Sequence, residues 1–186
     1  NEILDKRGIF YDKNRSIDIT TSVTGTFTTE GWSVYKYTNM RSDGQPGSNT
    51  TFPDTDFPMF RLADVYLMYA EAVARGGQGG SMATAVQYIN ALRQRAYGDT
   101  FHGINEAWLR ENNFRNILDE RQRELYWEGT RRTDLIRYGL FTSGNYLWTF
   151  KGGVLGGVGV NGRYNVFPIP TTDLSVNGNL KQNEGY

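Results

Sequence analysis

The sequence has no cysteine. Disulfides and thiolate metal sites are therefore excluded, and no redox compartment can be read. It has one histidine, His102. A single imidazole cannot build a multi-histidine metal centre, and in a loop it reads as an ordinary polar residue. No apolar run approaches the roughly 18 residues of a membrane-spanning helix. Net charge is missing too: 20 Lys and Arg balance 20 Asp and Glu. A balanced chain carries no electrostatic footprint for nucleic acid, and that class is set aside.

What the chain does have is glycine and aromatic rings. Glycine is 22 of 186 residues and aromatics are 14%, a pairing that suggests long structured loops around a core. The length suits one domain or a fragment of a larger one, residues 1–186 being read as a single piece. The chain opens at Asn1, without an initiator Met or signal peptide. The expectation is a piece of something longer, with any export or lipid signal upstream.

Residues 1–57 read as irregular, punctuated by Asp12, Asn14, Gly25, Gly31, Asp43, Gly44, Pro46 and Gly47. Short strands are expected over Ile17–Thr29 and Trp32–Tyr37, where β-branched and aromatic residues concentrate. From Pro58 the period changes. Leu62, Val65, Tyr66, Tyr69 and Val73 recur at helical steps, and so few polar residues interrupt that the helix is expected to be mostly buried. GGQGG (76–80) stops it. Ser81 is the expected N-cap of a second helix, with Val86, Ile89, Leu92, Arg93 and Ala96 on one face and Gly98 closing it. The result is an antiparallel hairpin, Phe60 to Tyr97, of tetratricopeptide-like length. One such unit cannot bury its faces alone. A third helix is expected from Glu106, or from Arg115, to Glu128, and a fourth over Thr133–Tyr138. Asn112, Asn113 and Asn116 are candidate caps for the third. Beyond Gly139 the reading is loop, then VFPIP, TTDL and a polar tail.

Gly157 to Gly162 fits G-x-G-x-x-G, but RYNVFP cannot be the helix that a dinucleotide site needs after it. Glu124 and Glu128, four residues apart, match the carboxyl spacing of a retaining glycosidase. Arg121 and Arg123 crowd the first, while Arg131 and Arg132 follow the second by one turn. Cations hold carboxylates ionised, which disqualifies a general acid. The expectation is a salt-bridged helix, with Arg61, Asp64 and Glu71 also in intra-helix or helix-pair bridges.

The aromatics point elsewhere. Tyr126 and Trp127 are assigned to the core of the third helix, and alternation places Tyr35 and Tyr37 on one face of a strand. Tyr146 and Trp148 lie in a glycine-rich loop whose backbone can reshape around a ligand. Exposed loop aromatics suit sugars, which present apolar C–H faces and hydroxyl edges. Trp148 and Tyr146, then Trp32 and Tyr35, are the candidate ligand-binding residues. No catalytic residue, metal ligand or cofactor site is assigned.

Taken in order, LDKRG, FPMFRLADVYLMYAEAVAR, AVQYINALRQRA, ILDERQRELYWEGTRRTDLIRYG, and VFPIPTTDL with NLKQNEGY resemble the C-terminal part of the SusD/RagB family. The resemblance implies a mainly α fold with tetratricopeptide-like hairpins, long irregular loops and a few short strands. It implies a surface-exposed outer-membrane lipoprotein, anchored through lipid upstream of this chain. It implies a non-enzymatic subunit that binds an oligosaccharide, polysaccharide or other nutrient and partners a SusC-like TonB-dependent transporter. It further implies that the charged helix is shared scaffold and that substrate choice lies in loops 20–57 and 142–165. Two other readings stand beside it: a glycoside hydrolase using Glu124 and Glu128, and a helical protein-interaction module in which Phe60 to Tyr97 docks a partner peptide.

Overall fold

The computed structural model describes residues 5–20 and 29–186. Two compact units emerge: the residues up to Lys13 with Trp32–Arg131, and Asn14–Gly31 with Arg132–Tyr186.

The first unit is built on the expected hairpin. Helix α1 is Leu62–Ala74 and α2 is Met82–Tyr97. The Ser81 hydroxyl accepts from the Thr84 amide at 3.1 Å, and Gly98 closes α2 in the left-handed region at φ 80°, where a Cβ would be strained. Small residues let the two helices approach: Ala63, Ala70, Ala74 and Ala85 are buried together with Leu67, Val73, Ile89 and Leu92. Tyr88 stacks on Tyr66 with centroids 4.1 Å apart. Helix α3, Glu106–Arg110, is capped by the Asn105 side chain, and Leu109 enters the same core. Helix α4, Arg115–Leu125, adds Ile117 and Leu125. The faces that a lone hairpin would leave bare are thus partly covered by α3 and α4. The expectation of a mostly buried α1 holds for one side only, since Leu62, Val65 and Met68 are exposed.

The third predicted helix is two helices. Asn112, Asn113 and Phe114 all have positive φ and break it between Arg110 and Arg115. Asn tolerates that region, and so the asparagines make a kink where a cap was expected. No side chain caps α4. Its end also comes early. Tyr126 is extended and Trp127 sits at φ 62°, so the helix stops at Leu125 and not at Glu128.

Strands are minimal: β1, Phe10–Tyr11, pairs antiparallel with β2, Ser33–Val34. The strand expected over Trp32–Tyr37 shrinks to β2, and that over Ile17–Thr29 falls largely on residues 21–28, outside the described part.

The second unit holds α5, Arg131–Arg137, from Arg132 on, and α6, Thr171–Val176. Helix α6 was not expected. Its signal is Pro170 at the N-cap with Asp173 in the first turn. Between them the chain folds back on itself. Val160 N–H donates to Thr142 C=O at 2.9 Å and Val158 N–H to Lys151 C=O at 3.0 Å. The tail is clipped down through one glutamine: Gln182 accepts from Ile169 N–H at 2.8 Å and donates to Ile169 C=O at 2.9 Å. Ile169 lies between Pro168 and Pro170, which lack amide hydrogens, so the Gln182 amide stands in for a neighbouring strand.

Candidate functional site

The charged helix α4 shows what its carboxylates do. Glu120 and Glu124 are 0% and 3% exposed. Glu124 is bound by Arg61 at 2.8 Å, Arg95 at 2.5 Å and Arg7 at 3.2 Å. Glu120 is bound by Arg93 at 2.7 Å, Arg7 at 2.8 Å and Arg123 at 2.8 Å. Glu128 takes Arg61 at 2.7 Å and the Lys36 ammonium. Arg61 therefore bridges the two residues proposed as a catalytic pair. The salt-bridged expectation holds, as do the helix-pair bridges of Arg61 and Asp64 and the intra-helix bridge of Glu71 with Arg75, but the arginines expected around Glu124 and Glu128 go elsewhere. Arg121 pairs with Asp64 at 2.8 Å, Arg131 donates to Leu118 C=O, and Arg132 belongs to the second unit. Apart from Arg123 on α4 itself, the cations come from four other segments, Arg7, Lys36, Arg61 just before α1, and Arg93 and Arg95 of α2, which sequence spacing within the helix could not reveal.

Burial opposes ionisation of each glutamate, and the surrounding cations outweigh it. Glu120, Glu124 and Glu128 all lie below the ordinary glutamate pKa. A carboxyl held ionised has no proton to donate to a leaving group.

The second unit presents an aromatic cleft of about 610 Å³, within the usual range for small-molecule sites. Trp148, 40% exposed, lines it. Phe141 packs beside Trp148 with centroids 6.0 Å apart, and Tyr146 lies 6.4 Å away. The Arg132 guanidinium sits over Phe167 at 4.0 Å and over Phe141 at 5.0 Å. Tyr164 and Tyr186 complete the rim, edge to face at 6.5 Å. Such a wall offers ring faces for apolar C–H surfaces and polar edges for hydroxyl groups.

Beneath Trp148 lies Lys151, 2% exposed. Its ammonium donates to the carbonyls of Ser143 at 2.5 Å, Tyr146 at 2.6 Å and Leu140 at 3.3 Å, and sits 4.5 Å from the Trp148 ring centroid. Burial lowers its pKa from the ordinary lysine value. The loop is therefore not free to reshape. Gly157, at φ 76°, shows the same: a Cβ there would lie 2.6 Å from Trp148 C=O. Gly152, Gly157 and Gly159 serve close packing, which corrects the expectation of a pliable loop.

The structure brings Trp148 and Tyr146 together. Phe141, Tyr164, Phe167, Tyr186, Arg132 and Lys151 join Trp148 in the cleft wall, and sequence reasoning missed them. For Tyr164, Phe167 and Tyr186 the signal was a second cluster of aromatics, in the RYNVFPIP and QNEGY segments.

Trp32 and Tyr35 belong to the first unit. Trp32, 50% exposed, packs on Phe10 with centroids 5.6 Å apart, and Phe10 packs on Tyr126 at 5.6 Å. Tyr35 is exposed, whereas Tyr37 is half-buried against Phe57 at 6.5 Å, so the two do not share one environment. The core assignment fails for Trp127, which is 67% exposed. Its left-handed backbone turns it out to line a depression with Phe10, Val34 and Tyr126. Tyr126 is half-buried, its hydroxyl donating to Arg7 C=O at 2.7 Å. His102 behaves as a polar loop residue, stacked on Tyr97 at 4.0 Å and bonded to Asp99 at 2.9 Å. The G-x-G-x-x-G segment is followed only by a turn of 3₁₀ helix, Gly162–Asn165. That is not the context of a dinucleotide site.

The sequence profile of the SusD family matches residues 13–186. The starch-binding protein SusD of Bacteroides thetaiotaomicron is 47% identical over 85% of this chain and 26% of its own. Two Formosa agariphila relatives, the SusD-like proteins P25 and P2, are 36% and 30% identical over 69% and 94% of this chain. The chain spans about a quarter of the first two relatives and 37% of the third. A SusD-like protein from Bacteroides fragilis superposes with a TM-score of 0.53, at 24% identity, over 75% of this chain and 28% of that one; the likeness is one of fold. The family match over most of the chain and the 47% identity to a curated member agree, and this chain belongs to the SusD family.

Proposed function

We propose that this chain is the C-terminal region of a non-catalytic glycan-binding subunit, acting with a SusC-like TonB-dependent transporter at the outer membrane and held there by a lipid anchor upstream. The aromatic cleft of the second unit is the observation that carries ligand binding. Kinship with a starch-binding protein makes an α-linked glucan the first ligand to try. No helix among the described residues is long and apolar enough to cross a membrane.

The hydrolase reading is disfavoured by the ion pairs of Glu124 and Glu128, which share Arg61. The peptide-docking reading of Phe60 to Tyr97 rests on the exposed Leu62, Val65 and Met68 of α1.

The test is calorimetric titration of the protein with a panel of oligosaccharides, maltooligosaccharides first, with chromatography of the sugar afterwards. Saturable binding with the sugar unchanged supports the proposal. Shortened products that vanish in Glu124→Gln would favour the hydrolase.

A further inference from the structure

The mechanism of glycan contact leaves one buried group unused. Lys151 is 2% exposed, and among the described residues its ammonium meets backbone carbonyls and no carboxylate. An isolated buried charge is costly unless its hydrogen bonds are met. Here they are met by backbone: the carbonyls of Leu140, Ser143 and Tyr146 take up the three N–H bonds. The face of Trp148 covers the same nitrogen at 4.5 Å. These carbonyls span seven residues of loop, Leu140 to Tyr146, and no regular element holds them. The Lys151 backbone is itself fixed, its N–H donating to Trp148 C=O at 3.0 Å and its C=O accepting from Val158 N–H at 3.0 Å.

We propose that Lys151 is a positioning residue for the aromatic cleft. Its ammonium acts as a built-in monovalent cation that gathers the Leu140, Ser143 and Tyr146 carbonyls and seats Trp148 and Tyr146 for the ligand. Carbonyl oxygens converging on one point repel each other, so the loop keeps this shape only while a positive charge fills the centre. The Trp148 ring adds its negative face to the same cage. The part of the inference that concerns ligand rests on the glycan-binding reading, while the clamp itself does not.

The test separates the two. The protein is labelled with 5-fluorotryptophan, and the Trp148 fluorine signal is assigned with Trp148→Phe. In Lys151→Met, which keeps the bulk and removes the charge, the Trp148 signal is expected to shift and broaden while the signals of Trp32, Trp108 and Trp127 stay. Lys151→Ala leaves a carbonyl-lined hole, and methylammonium at millimolar concentration is expected to restore the signal where sodium does not. Glycan affinity of Lys151→Met is expected to fall about tenfold, with the melting temperature of the first unit kept. An unmoved Trp148 signal in Lys151→Met overturns the clamp. A moved signal with wild-type glycan affinity overturns the positioning role. Absence of binding by the wild-type protein is a failure of the glycan reading alone, and the fluorine signal still decides the clamp.

Discussion

Trp148 and Glu124 are both large, functional-looking residues, and they answer to different physics. Trp148 keeps part of its ring in solvent and lines a cleft. Trp148→Ala is expected to weaken glycan binding about fivefold to tenfold, one stacked ring contributing on the order of 1 kcal/mol. Titration of a variant whose melting temperature is unchanged checks this, and undiminished affinity would remove the ring from the site. Glu124 is the reverse case. Glu124→Gln is expected to cost about 3 kcal/mol of stability, the low end for a broken buried pair, because Arg61 keeps Glu128 and Arg7 keeps Asp5 and Glu120. Ligand affinity should stay. The pKa directions add a pH signature. Glu120, Glu124 and Glu128 are depressed in the folded state, so their stabilisation is complete above the ordinary value of 4.5 and is lost as pH falls through the lower folded values. Urea unfolding between pH 7 and 3 should show stability falling below that point, less steeply in Glu124→Gln. Equal slopes in the two proteins would contradict the assignment of the pH dependence to this cluster.

At the scale of elements, legibility follows the range of the forces involved. Helices α1 and α2 were legible because their apolar period, the Ser81 cap and the Gly98 stop are all local signals. The early end of α4 was not, because Trp127 adopts a backbone conformation that its residue type disfavours. The loop from Phe141 to Val160 looked pliable in sequence, since glycine frequency does not say whether glycine gives freedom or close approach. At Gly157 it gives close approach. Gly157→Ala combines a strained positive φ with a Cβ 2.6 Å from Trp148 C=O. It is expected to cost about 1–2 kcal/mol locally and to raise hydrogen exchange across residues 142–160, while α1 and α2 exchange as before. Unchanged exchange in that loop would show that the glycine is dispensable there.

For the molecule as a whole, the candidate site was half legible. Trp148 and Tyr146 could be picked out because no helical period claimed them. Phe167 and Tyr186 reach the cleft only through the return of the tail, fixed by Gln182 on Ile169 and by the Asn183 side chain on Phe167 C=O. Contacts made at such sequence separation leave no periodic trace. The same is true of Arg7, Lys36, Arg61, Arg93 and Arg95, which converge on α4 from four segments and turn a pair of glutamates that looks catalytic into scaffold. Under the proposed function this chain holds glycan without cleaving it. The direct measurement is titration of the protein with maltooligosaccharides and other glycans, followed by chromatography of the recovered sugar. Saturable binding to at least one glycan, recovered at its original length, is expected. Recovery of shortened products from wild-type protein but not from Glu124→Gln, or no binding to any glycan of the panel, would contradict that function.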